Sequence, residues 1–156
     1  MIRKIITALL LTLICSLTWA QITEREGLYY DKEGQLYSGI HEEKNENGST
    51  KFKLSIFEGK LHGESTYFFE NGEVNEIRLY HHNQMHGTWK TFNNEKIKTG
   101  IANYSLGKKN GIWRIWDDNG TLRYDMLYKD GKKTGEWKIY NEKGELVATR
   151  KYNAIQ

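Results

Sequence analysis

Proline is missing from all 156 residues, and cysteine occurs once, as Cys15. Leu, Ile and Val are thin after residue 20, and the mean hydropathy of −0.74 is polar for a globular core. Apolar burial must therefore come largely from Trp, Tyr and Phe, each able to bury about 150–250 Å². No segment beyond residue 20 shows a helical period with capping signals, so essentially no helix is expected there. Nucleophile arrangements of the Ser-His-Asp or Cys-His kind have no local signature, and no glycine run forms a strand–GxGxxG–helix unit or a P-loop. Carboxylates such as Glu42-Glu43, Asp117-Asp118 and Asp125 fall on predicted turns or solvent-facing strand positions rather than in a water-poor cleft. These absences point away from an enzyme, a cofactor or a small-molecule substrate.

The one long apolar run lies at the start. Arg3 and Lys4 precede "IITALLLTLICSLTW", and Thr18-Trp19-Ala20 offers a small-residue cleavage site before Gln21. That layout predicts a secretory signal peptide over residues 1–20, with a periplasmic, extracellular or outer-membrane-associated location after cleavage. A buried first helix is the bland alternative, but no amphipathic period supports it. Acylation at Cys15 is a third option, although Leu13-Ile14 fits lipoprotein cleavage poorly. Cleavage after Ala20 removes Cys15 and leaves no need for disulfide chemistry. It also leaves 21 basic against 20 acidic side chains, net +1. Their distribution is uneven: residues 21–95 carry 8 basic and 13 acidic side chains, whereas residues 96–156 carry 13 and 7.

The remainder is periodic. Gly39, Gly63, Gly87, Gly111 and Gly135 fall 24 residues apart without drift. Counting each as zero, the second position holds His41, Ser65, Trp89, Trp113 and Trp137. The ninth holds Gly48, Gly72, Lys96, Gly120 and Gly144, and the seventeenth holds Ile56, Tyr80, Tyr104, Tyr128 and Tyr152. Each unit has two aromatic or β-branched runs, such as "IWRIW" and "RYDMLY", separated by turn residues. "DDNG", "ENG" and "EKG" predict a tight hairpin turn, and "YKDGKKTG" or "SLGKKNG" a slightly longer second one. The expectation is an all-β antiparallel meander of about ten strands, built from stacked 24-residue hairpins in an open, twisted single-layer sheet. One repeat domain spans 21–156, with a truncated capping unit at 27–38, full units starting at 39, 63, 87 and 111, and a final half unit at 135–156. Strand alternation puts Trp113 and Ile115 on one face and Arg114 and Trp116 on the other. Stacking should then set each second-position Trp above its counterpart, about 10 Å away, and each seventeenth-position Tyr likewise.

Units such as "GIWRIWDDNGTLRYDMLYKDGKKTG" and "GEWKIYNEKGELVATRKY" resemble the variant MORN repeat of bacterial proteins of the YwqK-like antitoxin type. The resemblance covers about residues 27–152. It implies an open sheet of hairpins used for protein or membrane-surface contact, an antitoxin role in some members, and no catalytic residues to carry over. The units starting at 39 and 87 depart most, with His41 for Trp and Lys96 for Gly.

Candidate contact residues follow from the pattern. Lys108-Lys109 and Lys132-Lys133 hold identical positions in consecutive units, and stacking predicts a basic edge suited to an anionic partner or lipid head groups. Solubilising turn lysines are the plain alternative. Trp89, Trp113, Trp116 and Trp137 line sheet faces that a single layer cannot fully bury, which makes them candidates for docking a partner protein; long Lys and Arg stems covering them is the other reading. Export and a near-neutral mature charge disfavour nucleic acid. His62, His81, His82 and His86 raise a metal site. The spacing of about 10 Å expected between His62 and His86 argues instead for histidines decorating turns, so no metal is expected.

Overall fold

The computed structural model describes residues 22–153. The predicted signal peptide and Cys15 lie outside them. Among the described residues there is no helix, and the chain is an antiparallel strand meander that does not close on itself.

A small sheet pairs β1 (Thr23–Arg25) with β2 (Leu28–Tyr30). The large sheet begins with β3 (Gly39–Lys44), β4 (Thr50–Phe57), β6 (Gly63–Phe68), β7 (Val74–His81) and β9 (Gly87–Phe92). It continues through β10 (Lys98–Ser105), β11 (Lys108–Trp116), β12 (Leu122–Lys129), β13 (Lys132–Tyr140) and β14 (Leu146–Tyr152), in that spatial order. The two-residue strands β5 (Lys60–Leu61) and β8 (Gln84–Met85) pair with β4 and β7. The ten-strand path is the one the repeat predicts.

The two turn types are reversed from expectation. The second turn of each unit is the tight one: Glu58-Gly59, His82-Asn83, Leu106-Gly107 and Asp130-Gly131 each place two successive residues at positive φ. That is the two-residue type I′ turn, whose twist matches the strands it joins. Each is tied to its predecessor, because the N–H groups of Asn83, Gly107 and Gly131 donate to Leu61, Met85 and Lys109 O at 2.8–2.9 Å. The "DDNG" turn is longer. Asp117 N–H donates to Thr121 O and Gly120 N–H to Asp117 O, with only Gly120 at positive φ, as in a type I turn closed by a glycine bulge. Asp117 Oδ1 accepts from Asn119 and Thr121 N–H, so the aspartate itself holds the loop.

The register explains the glycine at position zero. Gly63, Gly87, Gly111 and Gly135 sit directly opposite Tyr80, Tyr104, Tyr128 and Tyr152. Each tyrosine thus pairs with a residue that has no side chain to compete for the space beside it. Behind Gly111 a Cβ would meet Asn103 Cβ at 3.2 Å, so that side of the glycine is also filled.

Burial is thin, as a single layer requires. Leu54 and Ile56, both on β4, are the buried apolar side chains, and Ser65 is the one fully buried polar residue among those described. The 27–38 segment docks beside β4: Tyr29 N–H donates to Gly59 O, Gly59 N–H to Tyr37 O and Asn83 Nδ2 to Gly27 O.

Candidate functional site

The second- and seventeenth-position rings do not form two separate ladders. Each Trp meets the tyrosine that pairs with the glycine two residues before it. The result is one alternating row: Tyr80, Trp89, Tyr104, Trp113, Tyr128, Trp137, Tyr152, with ring centroids 4.8–5.3 Å apart. These tilted contacts are the favoured aromatic geometry and add about 0.5–1.5 kcal/mol per pair beyond area burial. The three indole N–H groups of the row are satisfied the same way. Trp89, Trp113 and Trp137 Nε1 donate to Leu79, Asn103 and Leu127 O at 2.8–2.9 Å, always ten residues upstream.

The row continues at the N-terminal end with other chemistry. Tyr29, His41, Phe52 and Tyr67 succeed one another at 5.6–6.2 Å. Burial lowers the His41 pKa, partly offset by Glu43, which favours a neutral ring in the stack. Between Tyr67 and Trp89 the place of a second-position Trp is taken by Ser65, and the gap is bridged by Arg78. Its guanidinium lies 4.3 Å from the Tyr67 centroid and 5.2 Å from that of Trp89, and its Nε donates to Glu76 at 2.6 Å. Burial pushes the Tyr67 phenol up to about 12, with Tyr80 adding to the rise and Arg78 opposing it.

The lysines separate into two sets. Lys109 Nζ sits 4.1 Å over Trp113 and 4.8 Å over Tyr128, and Lys133 Nζ sits 4.7 Å over Trp137 and 5.3 Å over Tyr152. They cap the aromatic row, with Lys133 itself still exposed. Lys108 and Lys132, one residue earlier, are exposed. Trp116, the residue after Ile115, has Lys98 Nζ 4.6 Å over its ring.

Beside the row, β11–β13 leave a shallow apolar groove lined by Ile115, Tyr124, Met126, Trp137 and Ile139, with Arg150 at its rim. Ile115 and Tyr124 are 43% and 40% exposed. Sequence reasoning singled out the tryptophans but missed Tyr124, Met126 and Ile139, because their alignment needs the registers Ile115↔Tyr124 and Tyr124↔Ile139.

The histidines also depart from expectation. His62, His81 and His82 come together, with one ring nitrogen from each lying within 4.8 Å of the others. The 10 Å spacing argument concerned His62 and His86, and it overlooked the turn. His82 has φ of 47°, and this left-handed residue ends the alternation that would send neighbouring side chains to opposite faces. The rings of His81 and His82 therefore lie 4.7 Å apart, and that of His62 lies 5.0 and 4.7 Å from them.

Comparison with known families matches the MORN repeat variant at residues 61–82, 109–130 and 133–154, each match starting two residues before a position-zero glycine. The units with His41 and Lys96 fall outside the matched segments. No curated protein matches the chain. MORN repeats commonly serve as protein- or membrane-binding modules. The 24-residue hairpins, their glycine-faced aromatic row and the three matched segments make this chain a MORN-repeat protein.

Proposed function

We propose that the protein is a non-catalytic docking module that seats an acidic segment of a partner protein, bearing apolar side chains, on the row face of β11–β13. The carrying observation is the groove of Ile115, Tyr124, Met126 and Ile139, open to solvent beside a row whose own rings are capped by Lys109 and Lys133. Apolar anchors would fill the groove, while the surplus of 13 basic over 7 acidic side chains in residues 96–156 orients an acidic partner. The acidic preceding half opposes docking in the reverse direction.

The positive head and apolar run of residues 1–20 support an exported protein acting in the envelope or outside the cell. A YwqK-like antitoxin or immunity role is a narrower version of the same docking and rests on the resemblance of the units. A photo-crosslinking residue at Tyr124 tests the docking face: the trapped protein is identified, purified and titrated against Ile115→Glu. Loss of that complex is expected; full affinity in Ile115→Glu would overturn the reading.

A membrane surface is the second reading. It is favoured by Lys60, Lys108 and Lys132, exposed at the same position of three units along one edge. Co-sedimentation with anionic vesicles, lost when these three lysines become glutamates, is its signature. Partner binding should survive that triple change.

A further inference from the structure

The histidine cluster stands apart from the docking face and coincides with departures from the repeat. Positions corresponding to His81 and His82 hold Phe57 and Glu58 one unit earlier, and Ser105 and Leu106 one unit later. Asn83 replaces the glycine found at Gly59, Gly107 and Gly131. Its side chain fixes the turn: Asn83 Oδ1 accepts from Leu61 N–H at 2.7 Å, and its backbone N–H donates to Leu61 O at 2.9 Å. The residue next to His62 is thus bound twice to the residue next to His82, so the backbone holds imidazoles from consecutive turns side by side. Phe57 walls the cluster, its ring 5.8 Å from His62 and 6.3 Å from His82.

A second observation points to a ligand. His62 Nδ1 is buried and has no hydrogen-bond partner, one of two such side-chain atoms among the described residues. Buried polar atoms are nearly always satisfied, so an open one on a ring of this cluster points to a ligand.

We infer that His62, His81 and His82 form a binding site for one divalent transition-metal ion of the Zn²⁺ type, clamping two consecutive turns of the sheet. Imidazole nitrogen is the donor such ions prefer, and three histidines leave a fourth position for water or another group. Tetrahedral geometry with Zn–N of about 2.0–2.1 Å sets ligand nitrogens about 3.3 Å apart, and the three nitrogens already lie within 4.8 Å of one another. Glu58 and Lys60 both act on His82 electrostatically, in opposite directions. Glu58 also offers the cation a carboxylate charge, and Lys60 works against it. His86 stands aside: its ring is 5.8 Å from that of His81, and its Nδ1 accepts a long hydrogen bond from Leu106 N–H at 3.4 Å.

The test titrates the chelator-stripped, purified protein with Zn²⁺ by calorimetry, alongside His82→Asn and His81→Phe. Asn tolerates the left-handed backbone at 82, and tryptophan fluorescence checks that each variant is folded. One Zn²⁺ per chain is expected, with each variant weakened by at least the roughly 10–100-fold that losing even an outer-shell partner costs. Histidine ring resonances of His62, His81 and His82 should shift on Zn²⁺ addition, and His86→Asn should keep the wild-type affinity. Wild-type protein that takes up no Zn²⁺, or folded His82→Asn and His81→Phe that bind it unchanged, would overturn the site.

Discussion

Trp113 Nε1 donates to the carbonyl oxygen of Asn103 at 2.9 Å, joining one hairpin unit to the next across ten residues of chain. Trp89 with Leu79 and Trp137 with Leu127 repeat the bond. A phenylalanine would keep the ring in the row but has no N–H. Trp113→Phe should therefore cost about 1–2 kcal/mol, the scale of a carbonyl left unpaired in a part-buried place. The loss should be smaller at the more exposed Trp137, where water can replace the indole. Urea unfolding of both variants gives the comparison, and equal, negligible losses would mean that the rings act by packing alone.

Lys96 holds φ of 64° at the one ninth position where the repeat lacks its glycine. A side chain in left-handed backbone costs roughly 1–2 kcal/mol. Its ion pair with Glu73 at 3.1 Å returns little, since the lysine side chain is 70% exposed. Lys96→Gly should stabilise the protein by roughly 0.5–1 kcal/mol, the residual after glycine's own entropy cost. A higher midpoint in urea at unchanged slope would establish it; a lower midpoint would show that the Glu73 contact outweighs the backbone.

Much of the fold was legible because the period carries it: 24-residue spacing, a recurring glycine and aromatic in each unit, and turn residues at fixed offsets. What escaped depends on geometry between strands. A single row in place of two ladders follows from Trp113 meeting Tyr128, the partner of Gly111, and strand alternation alone does not show a diagonal. Arg78 does not read as part of an aromatic stack, because nothing in "EIRLY" says that its partner position, Ser65, lacks a ring. The tight and longer turns were exchanged because glycine occurs in both; the number of positive-φ residues separates them. The histidine cluster was hidden by the left-handed His82, which undoes the alternation expected of adjacent residues. The apolar groove was half legible, since the tryptophans were visible and the registers that align Ile115, Tyr124 and Ile139 were not.

Arg78 joins the two parts of the row by a flat guanidinium between Tyr67 and Trp89. Lysine retains the charge but cannot stack, and it loses the donor geometry toward Glu76. Arg78→Lys should cost on the order of 1–2 kcal/mol, the combined scale of a desolvated cation–π contact and a charged hydrogen bond. Thermal unfolding measures the loss, and tryptophan fluorescence should report a changed environment for Trp89. A variant as stable as the parent would mean that the row is not continuous through this point.

The tyrosines of the row make alkaline stability a test of their burial. Burial raises the pKa of Tyr29, Tyr67, Tyr104 and Tyr128, Tyr67 to about 12, against about 10 in an unfolded chain. The folded state thus holds phenol protons that the unfolded state releases. Their contribution is complete below pH 10 and falls as pH rises from about 10 through 12, because the unfolded chain then binds fewer protons. Stability measured in urea should decline over that window, and the phenolate absorbance of Tyr67, read as the difference between parent and Tyr67→Phe, should rise together with unfolding rather than ahead of it. Tyr67→Phe removes the largest of these shifts and should flatten the decline. If the Tyr67 difference absorbance instead appears near pH 10 while the sheet stays folded, the row is open to water at Tyr67.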